Sequence, residues 1–179
     1  MCIRDSLAID VVEKDVEIRT LVITGKGRAF CAGGDVKGMG IQERPINPSQ
    51  IILRLVHLEK PVISAVNGVA AGGGCNLALA GDIILASDQA RFSQSFVRIG
   101  LVPDWGGMYL LPRLVGMAKA KELMFTGAMI DAKEAERIGL VSRVIPAEEF
   151  EPAVNEMAKK LASGPVSYTH LTLPTNREV

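Results

Sequence analysis

The sequence predicts a single α/β domain. Short apolar runs of strand length alternate with stretches of helical periodicity. Two glycine-rich turns, forty positions apart at Gly33 and Gly73, each follow a strand-like run. The 179 residues suffice for one core and contain no internal repeat, linker or low-complexity tract. Hydrophobic residues make up 48% of the chain and the formal charge sums to zero, which excludes the electrostatic footprint of a nucleic-acid binder. No apolar run reaches transmembrane length and no secretory signal is visible, so neither membrane nor nucleic acid is expected as a partner. Three cysteines without a Cys-x-x-Cys pair, and two histidines, argue against a disulfide framework and against a metal site. A reducing, cytoplasmic setting is the expectation.

Val16 to Thr24 reads as a buried strand closed by Gly25, followed by a loop of about ten residues around Pro45 and Pro48. Ser49 is a candidate cap for a helix to Glu59 with Ile51, Ile52, Leu55 and Leu58 on one face. Pro61 to Val66 is a second strand, and the second glycine cluster opens a short helix from Cys75 to Ala80. Asp82–Ala86 and Ala90–Gln94 read as further strands. Beyond Pro103 the pattern turns helical, over Gly107–Leu114 with a break or kink at Pro112, Ala118–Phe125, and Asp131–Ile138 closed by Gly139. Leu140–Ile145 is another strand, and Pro146–Ser163 an amphipathic helix with Ala153, Met157 and Leu161 inward.

The two ends read differently from the rest. Met1-Cys2-Ile3-Arg4-Asp5 can be encoded by a DNA string whose reverse complement encodes Val166-Ser167-Tyr168-Thr169-His170. One element in opposite orientations, similar to the transposon adapter of sequencing libraries, would write both. Residues 1–6 and 166–179 are therefore expected to be translated adapter, and residues 7–165 the domain proper. On this reading Cys2 and His170 carry no chemistry. Independent genomic reads continuing through either junction without the element would overturn it.

A helix that starts at Gly73 or Gly74 aims free N–H groups and its positive end at whatever lies in front of it. Glycine there serves equally well as a tight strand–helix turn, and the residues alone leave both readings open. No Gly-x-Gly-x-x-Gly fingerprint, Walker loop or Gly-x-Ser-x-Gly elbow is present. A series of motifs in fixed order goes further: Gly27-Arg28-Ala29-Phe30-Cys31-Ala32-Gly33-Gly34-Asp35, Lys60-Pro61-Val62-Ile63-Ser64-Ala65-Val66-Asn67-Gly68, Gly72-Gly73-Gly74-Cys75, Ala80-Gly81-Asp82-Ile83, Gly100-Leu101-Val102-Pro103, Leu111-Pro112-Arg113-Leu114-Val115-Gly116 and Gly139-Leu140-Val141. Together they resemble the crotonase family of enoyl-CoA hydratases and isomerases. The resemblance implies a crotonase-like (ClpP/crotonase) α/β spiral of ββα units, incomplete at both ends. It also implies an acyl-CoA substrate, with coenzyme A part of that substrate and no separate cofactor, and a full-length homotrimer or hexamer. By motif, the backbone N–H groups of Gly34 and Gly73 form the oxyanion hole, and the backbone near Ala32 meets the adenine of coenzyme A.

Hydratases of this family place a glutamate directly after Gly-Gly-Gly-Cys and another four residues after the phenylalanine of the next motif; here those positions hold Asn76 and Phe96. Neither side chain can serve as general acid or base. Asp104 becomes the candidate catalytic carboxylate, its other reading being a helix cap before Gly106-Gly107. The combination of Asn76, Phe96 and Asp104 resembles the 2-(1,2-epoxy)phenylacetyl-CoA isomerase branch. The resulting expectation is an isomerase that shifts a double bond by proton transfer through an enolate held by Gly34 and Gly73. The alternatives are a hydratase using Asp104 and water, or a non-catalytic acyl-CoA binder. A catalytic Asp104 is expected to be partly desolvated, with a raised pKa. Asn76, Phe96, Trp105 and Ala32 are expected to bind substrate; for Asn76 the other readings are that it orients Asp104 or a water, or satisfies the helix end. Asp35 is a candidate support for the first turn, Lys37 a candidate phosphate contact, and Cys31 and Cys75 read as small buried hydrophobes.

Overall fold

Val62–Val66 is buried at all five positions, the signature of a strand in the middle of a sheet covered on both faces. The computed structural model describes residues 3–34 and 47–164, with residues 3–6 described by backbone alone. Asp35, Lys37, Pro45, Cys2 and the 166–179 segment lie outside the described residues.

The chain begins with helix α1 (Ile3–Lys14), then passes through strands β1 (Leu21–Thr24) and β2 (Ala29–Cys31) to helix α2 (Pro48–Val56). The same order repeats as β3 (Val62–Val66), β4 (Val69–Ala71) and α3 (Gly73–Leu79). It repeats again as β5 (Ile83–Ser87) and β6 (Arg91–Ser93), then a 3₁₀ turn (Ser95–Ile99) and α4 (Gly107–Val115). The remainder is α5 (Met117–Thr126), β7 (Met129–Asp131), α6 (Ala132–Arg137), β8 (Arg143–Ile145) and α7 (Ala147–Ala162).

Each repeat contributes its first strand to one sheet and its second to another. The first sheet has the order β1-β3-β5-β8 with every neighbour parallel. The second has the order β2-β4-β6-β7, parallel except for the antiparallel β6–β7 pair. This is the spiral of ββα units that the resemblance implied. Phe150 and Val154 of α7 cover one face of the first sheet at Ile63, Ala65 and Leu85, with Ala153, Met157 and Leu161 packed alongside. Burying each large apolar side chain there contributes about 1.5–3 kcal/mol.

Several sequence expectations need correction. Val16 is 82% exposed and β1 starts only at Leu21. The Asp15 carboxylate accepts from Glu17 N–H, turning the chain after α1, and the ladder opens where Leu21 N–H reaches Pro61 O. α1 itself was not anticipated from the sequence. Asn47, not Ser49, caps α2: its side chain accepts from Ser49 N–H, and Pro48 sits in the first turn, where a missing N–H costs nothing. Pro112 does not break α4, which runs on to Val115. β8 begins late because Leu140 and Val141 N–H groups first close the end of α6 on Ala135 O.

β2 and β4 lie inside what the sequence presents as glycine-rich turns. They are tied together at their entry by one side chain. Asn67 accepts from Gly25 N–H at 3.0 Å and donates to Gly27 O at 2.8 Å. It thereby splices the β3–β4 corner to the β1–β2 corner. Asn67→Ala leaves both backbone groups without this partner, and is expected to cost about 1–3 kcal/mol. The measurement is a urea melt with a lower midpoint at unchanged slope; a midpoint equal to wild type would deny the splice any weight.

Candidate active site

β2 and β4 are parallel neighbours, so the turns leaving their C-terminal ends emerge side by side. β2 leads into Ala32, Gly33 and Gly34, and β4 leads through Gly72 into α3. The two backbones touch. A β-carbon on Gly33, which has φ of 95°, would stand 3.0 Å from Ala71 O and 3.5 Å from Gly73 N. One on Gly74 would stand 1.9 Å from Cys31 O. Contact this close tolerates no side chain at either position, and Gly33 also needs the left-handed conformation. The first bond within α3 closes from Asn76 N–H to Gly72 O at 3.1 Å. The N–H groups of Gly73, Gly74 and Cys75 precede it, at the positive end of the helix. Gly34 follows Gly33 directly and is half-buried, while Ala32 is exposed. The structure thus brings Gly33 and Gly73 together, with Gly34 the next residue along the first turn.

The wall over Gly73 is Trp105. A β-carbon on Gly73 would lie 2.8 Å from Trp105 Cε3, so the indole rests on the glycine α-carbon. Trp105 is 6% exposed and packs with Ile9, Ile51, Ile52 and Leu55 of α1 and α2. Its φ is +46°, and that of Gly106 is +75°. Gly107 N–H donates to Asp104 O at 2.9 Å, which makes Asp104–Gly107 a β-turn with both central residues at positive φ, as in type I′. A bulky side chain in that region costs about 1–3 kcal/mol unless its surroundings hold it.

What holds it is Asn76. The Asn76 side chain is fully buried; its Nδ2 donates to Asp104 O at 2.7 Å, and its Oδ1 accepts from Gln94 Nε2 at 2.8 Å. Gln94, 2% exposed beside β6, also reaches Cys75 Sγ at 3.5 Å. Phe96 is 6% exposed and its ring edge lies 3.9 Å from the β-carbon position of Gly72. Asp104 itself is exposed, which differs from the desolvated carboxylate expected: the fold grips the carbonyl of Asp104 and leaves the residue at the surface. It does not cap α4 either, since that place belongs to Gly106. Next to Gly106, an apolar groove of about 310 Å³ opens between Ile52, Leu53 and Val56 of α2 and Tyr109 and Leu110 of α4. His57 at its edge is exposed and bonded to Leu53 O.

Gln94 was not singled out in the sequence. It belongs to no motif, and its partner Asn76 lies eighteen residues away. Burial pushes the Cys75 thiol up to about 12, against smaller opposing effects of Gln94 and the Ser93 backbone. Among the described residues no cluster of three or more His, Cys, Asp or Glu could hold a metal, and no helix is long and apolar enough to cross a membrane.

Residues 5–179 match the family model described as enoyl-CoA hydratase/isomerase. The chain belongs to this family. It is 42% identical over 167 residues to the 1,2-epoxyphenylacetyl-CoA isomerase of Escherichia coli, covering 86% of this chain and 63% of that protein. It is 44% identical over 162 residues to the short-chain-enoyl-CoA hydratase of Clostridium acetobutylicum, covering 87% of this chain and 62% of that one. Among solved structures it resembles an enoyl-CoA hydratase/isomerase from Cupriavidus metallidurans at TM-score 0.85 and 40% identity, over 93% of this chain and 66% of the other. The chain therefore spans a little under two thirds of the length of these family members.

A thiol held neutral stabilises the fold at pH values below its unfolded pKa. With the folded value raised from 9.0 to about 12, that contribution disappears as pH climbs from 9 through 12. At pH 8 a thiol reagent is expected to leave Cys75 unmodified in the native protein and to label it in urea, read by peptide mass. Rapid native labelling of Cys75 would contradict the burial.

Proposed function

We propose that the chain carries the core of an acyl-CoA isomerase. The thioester oxygen of the substrate sits between the N–H groups of Gly34 and Gly73, where negative charge develops as the enolate forms. The Asp104 carboxylate takes a proton from the acyl chain to give a dienolate and returns it two carbons along. The apolar groove beside Gly106 receives the acyl group, Trp105 and Phe96 wall the site, and the backbone near Ala32 meets the adenine of coenzyme A. Cysteine usage fits a reducing, cytoplasmic setting, and, as the resemblance implies, the full-length protein works as a homotrimer or hexamer without a cofactor beyond the coenzyme A of its substrate.

The observation that carries this reading is the fate of the two glutamate positions. Asn76 is fully buried with both ends of its amide engaged, and Phe96 is a buried ring. Neither can activate water. Asp104, whose carbonyl Asn76 holds, is left to do one-base chemistry next to Trp105 and Gly73. The 42% identity to a protein named as an isomerase supports the same reading. A second reading, hydration by Asp104 and a water, is favoured by the 44% identity to a protein named as a short-chain hydratase.

The test incubates the purified protein with a 3-enoyl-CoA and, separately, a 2-enoyl-CoA, with products followed by mass and chromatography. Isomerisation gives a 2-enoyl product of equal mass from the first and little water addition to the second. Asp104→Asn is expected to lower kcat by about 10²–10⁴-fold with KM little changed. Efficient water addition to the 2-enoyl substrate would favour hydration. Thioester binding without turnover would leave a non-catalytic binder, and near-wild-type turnover in Asp104→Asn would end the role of that residue.

A further inference from the structure

Gln94 is the least explained buried polar group near the site. Its Nε2 donates to Asn76 Oδ1, yet its Oε1 is buried with no hydrogen-bond partner among the described residues. An unpartnered buried acceptor is a net cost that an apolar side chain of the same shape would avoid. Gln94 is therefore poorly accounted for by stability.

Its geometry gives it another use. Asn76 can donate to Asp104 O only if its oxygen faces the other way, and Gln94 Nε2 is the donor that meets that oxygen at 2.8 Å. Gln94 thus fixes which end of the Asn76 amide faces the Asp104–Gly107 turn. Asp104 O accepts twice, from Gly107 N–H and from Asn76 Nδ2. These two bonds clamp the turn that keeps Trp105 at φ of +46°. The amide is also packed flush against the start of α4: a β-carbon on Gly107 would stand 2.3 Å from Asn76 Nδ2. The packing leaves the amide room only to turn end for end in place.

We infer that Gln94 is a positioning residue: by polarising the Asn76 amide it locks the Asp104–Trp105 turn, and so sets where the carboxylate and the indole stand relative to Gly73. The inference rests on the isomerase reading for its catalytic consequence and on the turn geometry alone for its structural one.

The isosteric change Gln94→Glu tests it. A protonated carboxyl donates to Asn76 Oδ1 as the amide did. An ionised one can only accept, so it draws Asn76 Nδ2 toward itself and turns Oδ1 against Asp104 O. Among the described residues the groups facing position 94 are the Cys75 thiol, which burial keeps neutral below about pH 12, and the Arg98 guanidinium, which with the Gln94 carbonyl flanks Gly127 and stays charged throughout. In the full chain, kcat for the 3-enoyl-CoA is expected to acquire a falling alkaline limb absent from wild type. The fall is about 10- to 100-fold, the scale on which small misplacements of catalytic groups act, with KM little changed. Gln94→Met, which cannot donate at any pH, is expected to show the low activity throughout, at a melting temperature close to wild type. Crystal structures of both variants read the turn directly, and Trp105 is expected to leave the positive-φ region in Gln94→Met. A Gln94→Glu profile overlaying wild type while Asp104→Asn is inactive would overturn the catalytic consequence. An unchanged Asn76 amide and Trp105 turn in Gln94→Met would overturn the inference outright, whether or not Asp104 proves catalytic.

Discussion

Two backbones pressed together without side chains between them fix the geometry of this protein. The Cys31 carbonyl occupies the space that a methyl on Gly74 would need, and Gly33 lies against Ala71 and Gly73 in the same way. The parallel pairing of β2 with β4 brings the segments alongside, and Asn67 joins the corners that feed them. Because peptide groups rather than flexible side chains meet here, the relative placement of the first turn and the start of α3 is set by covalent geometry and strand pairing.

A second rigid unit stands opposite. The Asp104–Gly107 turn places a tryptophan where glycine or asparagine is the usual occupant, and the strain is contained by the hydrophobic packing of the indole and by the amide beneath. The polar network that contains it is short: one glutamine, one asparagine and one carbonyl. In a buried setting such a chain admits few arrangements. Two rigid pieces therefore stand together, the close-packed backbone of Gly33, Gly73 and Gly74 and a turn held by side-chain amides.

Much of this was legible in the sequence, for identifiable reasons. Long apolar runs such as Val62–Val66 announce themselves, and α7 shows its period clearly enough that its inward face was read correctly. The glycine runs were read as turns that converge, and they do meet, although β2 and β4 were hidden within them: strands of three residues carry too little pattern to be seen. Val16 misled because an apolar residue in an exposed turn has the same letter as one in a strand. That Asn76 orients Asp104 was one of the readings the sequence offered, and the Asn76 amide does hold the Asp104 carbonyl; the part played by Gln94 was not legible at all. An amide on a helix and another beside a strand become partners only through the stacking of successive ββα units, which no local spacing records. Asp104 was singled out through motif order, and its exposure was not foreseen.

The chain contains a single tryptophan, and the fold has put it in the strained turn with its ring on Gly73. The protein consequently carries its own optical probe against Gly73. Near-ultraviolet emission from this molecule is free of overlapping indole signals, so its wavelength and quenching report the polarity and access of the space above Gly73 and nothing else of comparable brightness. Changes in the packing above Gly73 can be followed in the unmodified chain, without a label.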